Sequence, residues 1–188
     1  MKFGKVDLGG LKKLQAKLNA VKQSDMDKFL TDCAKELAAR LLREVIRKTP
    51  VGKYGRMVVV TAKKDSKKHK KGEQYTRRVN NTGKTGGTLR RGWTSKSHEE
   101  AESGKGSGLS NVEDFLNGIT VTHEGNLYKI EIVNPVEYAS YVEYGHRTAN
   151  HKGWVPGKFM LTLSEDHIKS IAPALLAQKL KTFLEGYF

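Results

Sequence analysis

The longest periodic pattern in the chain runs through Met26, Phe29, Leu30, Cys33, Leu37, Leu41, Leu42, Val45 and Ile46. Steps of three and four residues put these side chains on one broad stripe of an α-helix. Ser24, with Asp27 three residues on, resembles a capping box at its start. Thr49-Pro50 ends it, because the residue before a proline is pushed out of helical geometry. Cys33 falls on the stripe, which predicts a buried, inert thiol rather than a nucleophile. Ahead of this helix, Leu11, Leu14, Leu18 and Val21 recur at steps of 3, 4 and 3 after Gly9 and Gly10. They predict a short amphipathic helix or a partner-binding arm within residues 1–23.

The pattern then changes period. Residues 57–62 are rich in valine and predict a strand, and the lysine run that follows cannot be buried, so 63–72 is a solvated loop or hairpin tip. Asn, Thr and Gly dominate 80–88, a loop composition. Leu89, Arg91, Trp93 and Ser95 alternate with Arg90, Gly92, Thr94 and Lys96 as in an edge strand, and Glu, Ser, Gly and Lys make 97–110 a mobile connection. A short helix is expected near 110–116. Ile119, Val121 and His123, then Tyr128, Ile130 and Ile132, alternate with polar residues on either side of Glu124-Gly125-Asn126, a hairpin signal. Asn134-Pro135 stops the second strand. Tyr138, Tyr141 and Val142 follow helical spacing to a C-terminal cap at Gly145. Ser164 opens a last helix carrying Ile168, Ile171, Leu175, Leu176, Leu180, Phe183 and Leu184, which Pro173 should kink or restart. The order predicts a single α+β domain over 1–188: a small antiparallel sheet packed by a long N-terminal helix and a C-terminal helix, with a long basic inserted loop or hairpin.

Composition bounds this picture. With 188 residues and 21.0 kDa the chain is long enough for one core, burying roughly 70% of the unfolded surface. A single cysteine excludes a disulfide framework or a thiolate zinc site within the monomer. No apolar run approaches the roughly 20 residues of a membrane span, and Met1-Lys2-Phe3-Gly4-Lys5 leads into no apolar signal core. A soluble, unsecreted protein with no membrane partner is expected. The formal charge of +14 changes the picture more, because it is local. Residues 53–96 hold 14 Lys and Arg against Asp65 and Glu73, a net of +12, which leaves +2 for all the rest.

Catalytic patterns are wanting. Gly83-Lys84-Thr85 has the tail of a phosphate loop, but Arg78 stands where that loop needs glycine. Six histidines offer only His146 and His151 as a close pair, and no thiolate or carboxylate joins them. No nucleophile elbow occurs, and Glu99, Glu100 and Glu102 fall in the expected mobile stretch, where nothing fixes a pKa. The chain is therefore read as noncatalytic and without cofactors. The basic stretch suits phosphates, with Tyr75 and Trp93 as stacking residues, but spaced lysines read no base edges and fit an acidic protein surface equally. Its contact residues are Lys63, Lys64, Lys67, Lys68, Lys70, Lys71, Arg77 and Arg78. A free nucleic-acid-binding protein using 53–96 is the alternative reading, and a loop kept polar for solubility is the plain one. Tyr138, Tyr141 and Tyr144 offer a recognition patch, although helical spacing suits Tyr138 and Tyr141 better to core packing.

The run Tyr138-Ala139-Ser140-Tyr141-Val142-Glu143-Tyr144-Gly145-His146-Arg147-Thr148, followed by Gly153-Trp154-Val155-Pro156-Gly157-Lys158-Phe159-Met160-Leu161, resembles the gene-product-ten-like minor tail proteins of long-tailed bacteriophages and prophages. Thr49-Pro50-Val51 and Gly87-Thr88-Leu89-Arg90-Arg91-Gly92-Trp93 fit the same family, and the likeness runs from about Met26 to the end. In that pattern the Pro-Val is followed almost directly by Asp-Thr-Gly and Leu-Arg, so 52–87, with most of the positive excess, reads as an insertion. The resemblance implies a noncatalytic virion protein that completes the tail or joins it to the head. It would act as a homo-oligomeric ring, a hexamer, around the DNA channel, assembled in the host cytoplasm among neighbouring neck and tail proteins. Tyr144, His146 and Arg147 are then the expected subunit interface, and the basic insertion faces channel DNA or a neighbouring ring.

Overall fold

The computed structural model describes residues 15, 16, 19, 21–83, 86–104, 112–125 and 127–186. Most of the expected N-terminal stripe, Leu11, Leu14 and Leu18, lies outside them.

Helix α1, Gln23–Lys48, is 26 residues long, and α6, Met160–Glu185, matches it. At 1.5 Å per residue each spans about 39 Å. They run antiparallel: Phe29 near the start of α1 stacks on Phe183 near the end of α6 at 4.4 Å, Glu36 pairs with Lys179, and Lys48 Nζ donates to the Leu163 carbonyl at 3.3 Å. Between them in sequence come, among the described residues, α2 (Thr88–Gly92), α3 (His98–Ser103), α4 (Val112–Asn117) and α5 (Ala139–Tyr144), and six short strands. The strands are β1 (Arg56–Thr61), β2 (Gln74–Val79), β3 (Thr122–Glu124), β4 (Leu127–Lys129), β5 (Gly145–Arg147) and β6 (Trp154–Pro156). The fold is α+β with antiparallel pairing, but in three separate two-stranded ribbons, β1-β2, β3-β4 and β5-β6, rather than one sheet.

The core gathers on the C-terminal half of α1. Leu42, Val45 and Ile46 are buried with Leu89, Trp93, Ala101, Val112, Leu116, Val136 and Met160. At its centre is Thr49, which is fully buried. Its hydroxyl donates to the Val45 carbonyl at 2.6 Å and accepts from the Trp93 indole N–H at 2.8 Å. Its carbonyl accepts from Arg90 Nε and Nη2 at 3.2 and 2.7 Å. Proline at 50 stops the helix as expected, and the threonine just before it is what the rest of the core docks on.

Several expectations are corrected here. Residues 89–95 are not an edge strand: Leu89 and Trp93 are four apart, a spacing that satisfies both periods, and the anchoring of Arg90 and Trp93 on Thr49 selects the helix α2. Gly87 at φ +97° admits the chain to it, and Gly92 lies against the Asn134 side chain, leaving no room for a Cβ. Residues 97–103 are not a mobile connection. Ser97 caps α3 by accepting from the Glu100 N–H at 3.2 Å, and Ala101 is buried in the core; residues 105–111 lie outside the described ones. Ser24 and Asp27 form no capping box. No side chain caps α1, and Asp27 instead accepts from Gln23 Nε2 and from the Tyr128 hydroxyl at 2.7 Å. That hydroxyl holds the Asp27 carboxyl below its usual range, and Asp27 in turn raises Tyr128.

The last helix starts at Met160, four residues before Ser164, and passes through Pro173 without interruption. Pro173 and Lys169, whose carbonyl has no N–H to accept from at position 173, are both exposed, so the helix carries the proline on its solvent side. Cys33 is buried as expected, and burial pushes its thiol pKa up. The hairpin signal at 119–132 holds in shorter form as β3-β4, with Gly125 at φ +60° in the turn.

Replacing Thr49 with valine keeps the shape but leaves the Trp93 indole N–H buried without an acceptor, and should cost about 1–3 kcal/mol. A urea unfolding midpoint unchanged from the parent would contradict the central role given to this residue.

Candidate assembly surfaces

Two exposed surfaces stand out on this scaffold. The first is the β1-β2 hairpin. Its valine-rich strand pairs with a polar one, Val58 facing Arg77 and Val60 facing Tyr75 on one side, Met57 facing Arg78 and Val59 facing Thr76 on the other. The first side is partly covered along Val58, Val60 and Tyr75, while Met57 and Val59 are 55% and 67% exposed. β2 is absent from the sequence-based expectation because neither of its faces enters the core, so Gln74, Thr76, Arg77 and Arg78 carry no apolar alternation.

The tip, 62–73, is ordered by its own acids. Asp65 Oδ1 accepts from the Lys71 N–H at 2.8 Å, and Glu73 Oε2 accepts from the Lys70 N–H at 2.9 Å. Glu73 Oε1 lies 3.2 Å from His69 Nδ1, and the His69 ring stacks on Tyr75 at 3.9 Å. Ser66 Oγ accepts from the His69 N–H at 3.1 Å. The Lys70 N–H, and then His69, hold the Glu73 carboxyl below the usual glutamate range. Asp65 and Glu73, the only two acids in 53–96, are thus turned onto the backbone of the tip. Lys63, Lys64, Lys67, Lys68, Lys70 and Lys71 are exposed, and none forms an ion pair with a carboxylate among the described residues. Six like charges on one short tip, without ion-pair partners, add into a local positive field that salt screens.

The structure brings those six lysines together but separates the two arginines. Arg77 stays with the Val58 side, whereas Arg78 turns to the base, where Nη1 donates to the Gly55 carbonyl at 3.1 Å. Gly55, at φ +87°, lies against the Val79 carbonyl, and a Cβ on Gly86 would collide with the Gly52 carbonyl. The two chain segments that bound the hairpin therefore touch. Of the two expected stacking residues, Trp93 is buried in the core and Tyr75 is occupied by His69.

The second surface is built around a buried glutamate. Glu143 Oε2 accepts from the Leu161 N–H and Oε1 from the Thr162 N–H, both at 2.9 Å, and Oε1 also accepts from the Thr162 hydroxyl at 2.8 Å. A carboxylate there satisfies orphan N–H groups and complements the positive end of the α6 dipole. The backbone locks the same joint: Lys158 and Phe159 N–H groups donate to the Val142 and Glu143 carbonyls at 2.8 and 3.0 Å. Gly145 at φ +88° and Gly157 pack so closely that neither tolerates a Cβ. This tertiary cap explains why α6 begins at Met160 with no local capping residue.

From that joint projects β5-β6, Gly145 facing Pro156, His146 facing Val155 and Arg147 facing Trp154. The expected interface residues are all exposed, His146 and Arg147 on β5 and Tyr144 just before it at the end of α5. His146 Nδ1 lies 3.5 Å from the Tyr141 carbonyl. Tyr138 and Tyr141 do not pack in the core, because α5 turns Glu143 inward instead; Tyr141, Tyr144 and Trp154 are 59%, 63% and 60% exposed. Phe159 and Leu163 extend the apolar edge along the start of α6. These last two, with Trp154 and Val155, were not singled out from the sequence as part of an exposed patch, and neither was the buried Glu143; Tyr141 was weighed for a patch but given to core packing. The signal available was an excess of aromatic residues over 138–159 that fits no single helical or strand stripe.

The comparisons with known proteins bear on these surfaces. A family model described as "Bacteriophage HK97-gp10, putative tail-component" matches residues 12–145. No curated protein and no solved structure matches the chain. The matched stretch contains the whole basic hairpin and the tyrosines of α5, and stops before β6 and α6.

Two outcomes follow from the geometry. Removing Lys63 to Lys71 should leave the melting temperature of the subunit within a few degrees, since a solvated tip contributes little to the core; a large drop would make the tip structural. Because Glu73 is lowered in the folded tip, its bond to the Lys70 N–H is kept above the ordinary glutamate pKa of about 4.3 and lost as pH falls through the lowered value. The Lys70 amide resonance should report that midpoint, which a titration at or above 4.3 would refute.

Proposed function

The chain belongs to the HK97-gp10-like family of bacteriophage tail components, and from that premise we propose that it completes the top of the tail, or joins tail to head, as one subunit of a ring around the DNA channel. Its place in the virion and its partnership with other tail proteins follow from the family, which is structural. The observation that carries the finer reading is the division of the surface into two unlike patches on one small scaffold. The aromatic edge of Tyr141, Tyr144, Trp154 and Phe159 is large, rigidly held through Glu143, and apolar, as a subunit interface requires. The hairpin is cationic and stands on a narrow base, so it reaches beyond its own subunit.

Head-to-tail contacts place the same edge against a different surface of the next copy, and a closed rotation gives a ring. Six subunits would each present one lysine tip, either inward to the phosphates of the passing DNA or axially to an acidic face of the adjoining layer. Neither use needs base contacts, and the tip offers none. The rival reading, a free nucleic-acid-binding protein, loses support because Trp93 is inside the core and Tyr75 is covered by His69.

Particles assembled with Trp154→Ala and Tyr144→Ala together should lack this protein and carry incomplete or detached tails by negative-stain microscopy, while the isolated subunit keeps its fold by circular dichroism. Charge reversal at Lys67, Lys68, Lys70 and Lys71 should let the protein enter particles but reduce infectivity. Wild-type incorporation and tail length in the first variant would remove the interface role. Tight, steeply salt-dependent DNA binding by a persistent monomer would favour the rival.

A further inference from the structure

The β1-β2 hairpin is a ribbon of two strands, and among the described residues no further strand pairs with either of its outer edges. The two edges differ. β2 carries Arg77 and Arg78 in its middle, and charge on an edge strand is what ordinarily keeps it from pairing further. β1 offers Met57-Val58-Val59-Val60-Thr61 with no charge, proline or glycine among them, the composition that most readily accepts another strand.

The hydrogen bonding shows which of its groups are on offer. The Ala62 N–H donates to the Glu73 carbonyl at 2.9 Å, so Ala62 points inward to the returning strand. In an antiparallel pair inward and outward residues alternate, which makes Val60, Val58 and Arg56 the bonded partners of Tyr75, Arg77 and Val79. Met57, Val59 and Thr61 therefore turn their N–H and C=O groups outward, a row of donors and acceptors spaced every second residue. The side chains of the same three residues are exposed.

Charge selects the partner. Arg56 stands at one end of this edge and Lys63 and Lys64 lie just past the other, while Asp65 and Glu73 are engaged with the Lys71 and Lys70 N–H groups. A second β1 laid antiparallel on the first would bring Arg56 of each copy towards Lys63 and Lys64 of the other, and a parallel one would set Arg56 beside Arg56. Like charges side by side oppose both arrangements. An incoming strand with carboxylates at its two ends and uncharged β-branched residues between them meets opposite charge at each end.

We propose that the outer edge of β1, from Met57 to Thr61, takes an extended acidic segment of another polypeptide as a third strand. Main-chain hydrogen bonds to Met57, Val59 and Thr61 hold the segment, and Arg56, Lys63 and Lys64 select its carboxylates. The site depends neither on ring formation nor on a DNA contact at the tip, so it stands or falls separately from the reading above.

The test uses the full-length protein labelled with 15N and a ten-residue peptide blocked at both ends, Glu-Glu-Thr-Val-Thr-Val-Thr-Val-Glu-Glu. Saturating peptide should slow amide exchange at Met57, Val59 and Thr61 by about tenfold or more and leave Val58 and Val60, already bonded to β2, nearly unchanged. The same peptide N-methylated at its six central residues, or with lysine in place of each glutamate, should protect none of the three. Val59→Pro removes one outward donor and no bond of the hairpin ladder. It should weaken peptide binding by about tenfold, the worth of one hydrogen bond, while Val58 and Val60 stay protected; if the hairpin opens in this variant, the N-methylated peptide makes the same comparison on the parent protein. Unchanged exchange at the three amides, or equal protection from the N-methylated peptide, would overturn the proposal. So would oligothymidylate protecting the same amides, which assigns the edge to nucleic acid, or protection that rises with protein concentration in the absence of peptide, which assigns it to a second copy.

Discussion

Thr49 is the residue through which the two halves of the chain are joined. It ends α1, and its hydroxyl and carbonyl together receive Trp93 and both hydrogen-bonding nitrogens of Arg90. Those partners lie more than forty residues further on, beyond the whole basic hairpin. A buried polar group is costly unless paired, and here the pairing is complete only when α2 is in place. The docking of α2 and the closing of the hairpin's base are thus tied to the same residue at the end of the first helix. Everything on the far side, from the Asn134 side chain that receives α2 to the Met160 end of α6, is built on that joint.

The sequence made some of this legible and hid the rest for identifiable reasons. α1 was readable because a 26-residue helix repeats its stripe many times, and Thr49-Pro50 marks its end without tertiary help. The hairpin at 122–129 was readable because one of its faces alternates. By contrast, 89–95 is too short to separate a period of two from one of 3.6, and the deciding contacts come from Thr49. The start of α6 was hidden because its cap is Glu143, seventeen positions before the helix begins, and no local rule looks that far. The acidic stretch at 97–103 looked unstructured by composition, yet Ser97 and the single buried methyl of Ala101 were enough to seat a helix.

The candidate surfaces divide the same way. The lysines of the tip could be counted from the sequence, but not the fact that Asp65 and Glu73 bond to its backbone, which leaves the lysine head groups without an ion pair among the described residues. Tyr144, His146 and Arg147 were singled out from the sequence, and they lie exposed at the end of α5 and on β5. Their apolar companions Trp154, Phe159 and Leu163 come from three different backbone states and meet only in three dimensions. One surface is therefore sensitive to salt and the other is not. An assembly that used both would keep its subunit contacts in conditions that weaken its cationic ones.

The touching glycines at the foot of the hairpin have a consequence for how this chain can change. Closing a loop costs entropy that grows only with the logarithm of its length, about 0.6 kcal/mol for each doubling. Since Gly52 and Gly86 already meet, that closure is set by the scaffold and hardly by what lies between them. The stretch can lengthen, shorten or be exchanged for another sequence with little effect on the helices that carry it. Selection on what the tip touches is thereby uncoupled from selection on the core, so tips of different reach and charge can arise on one unaltered subunit.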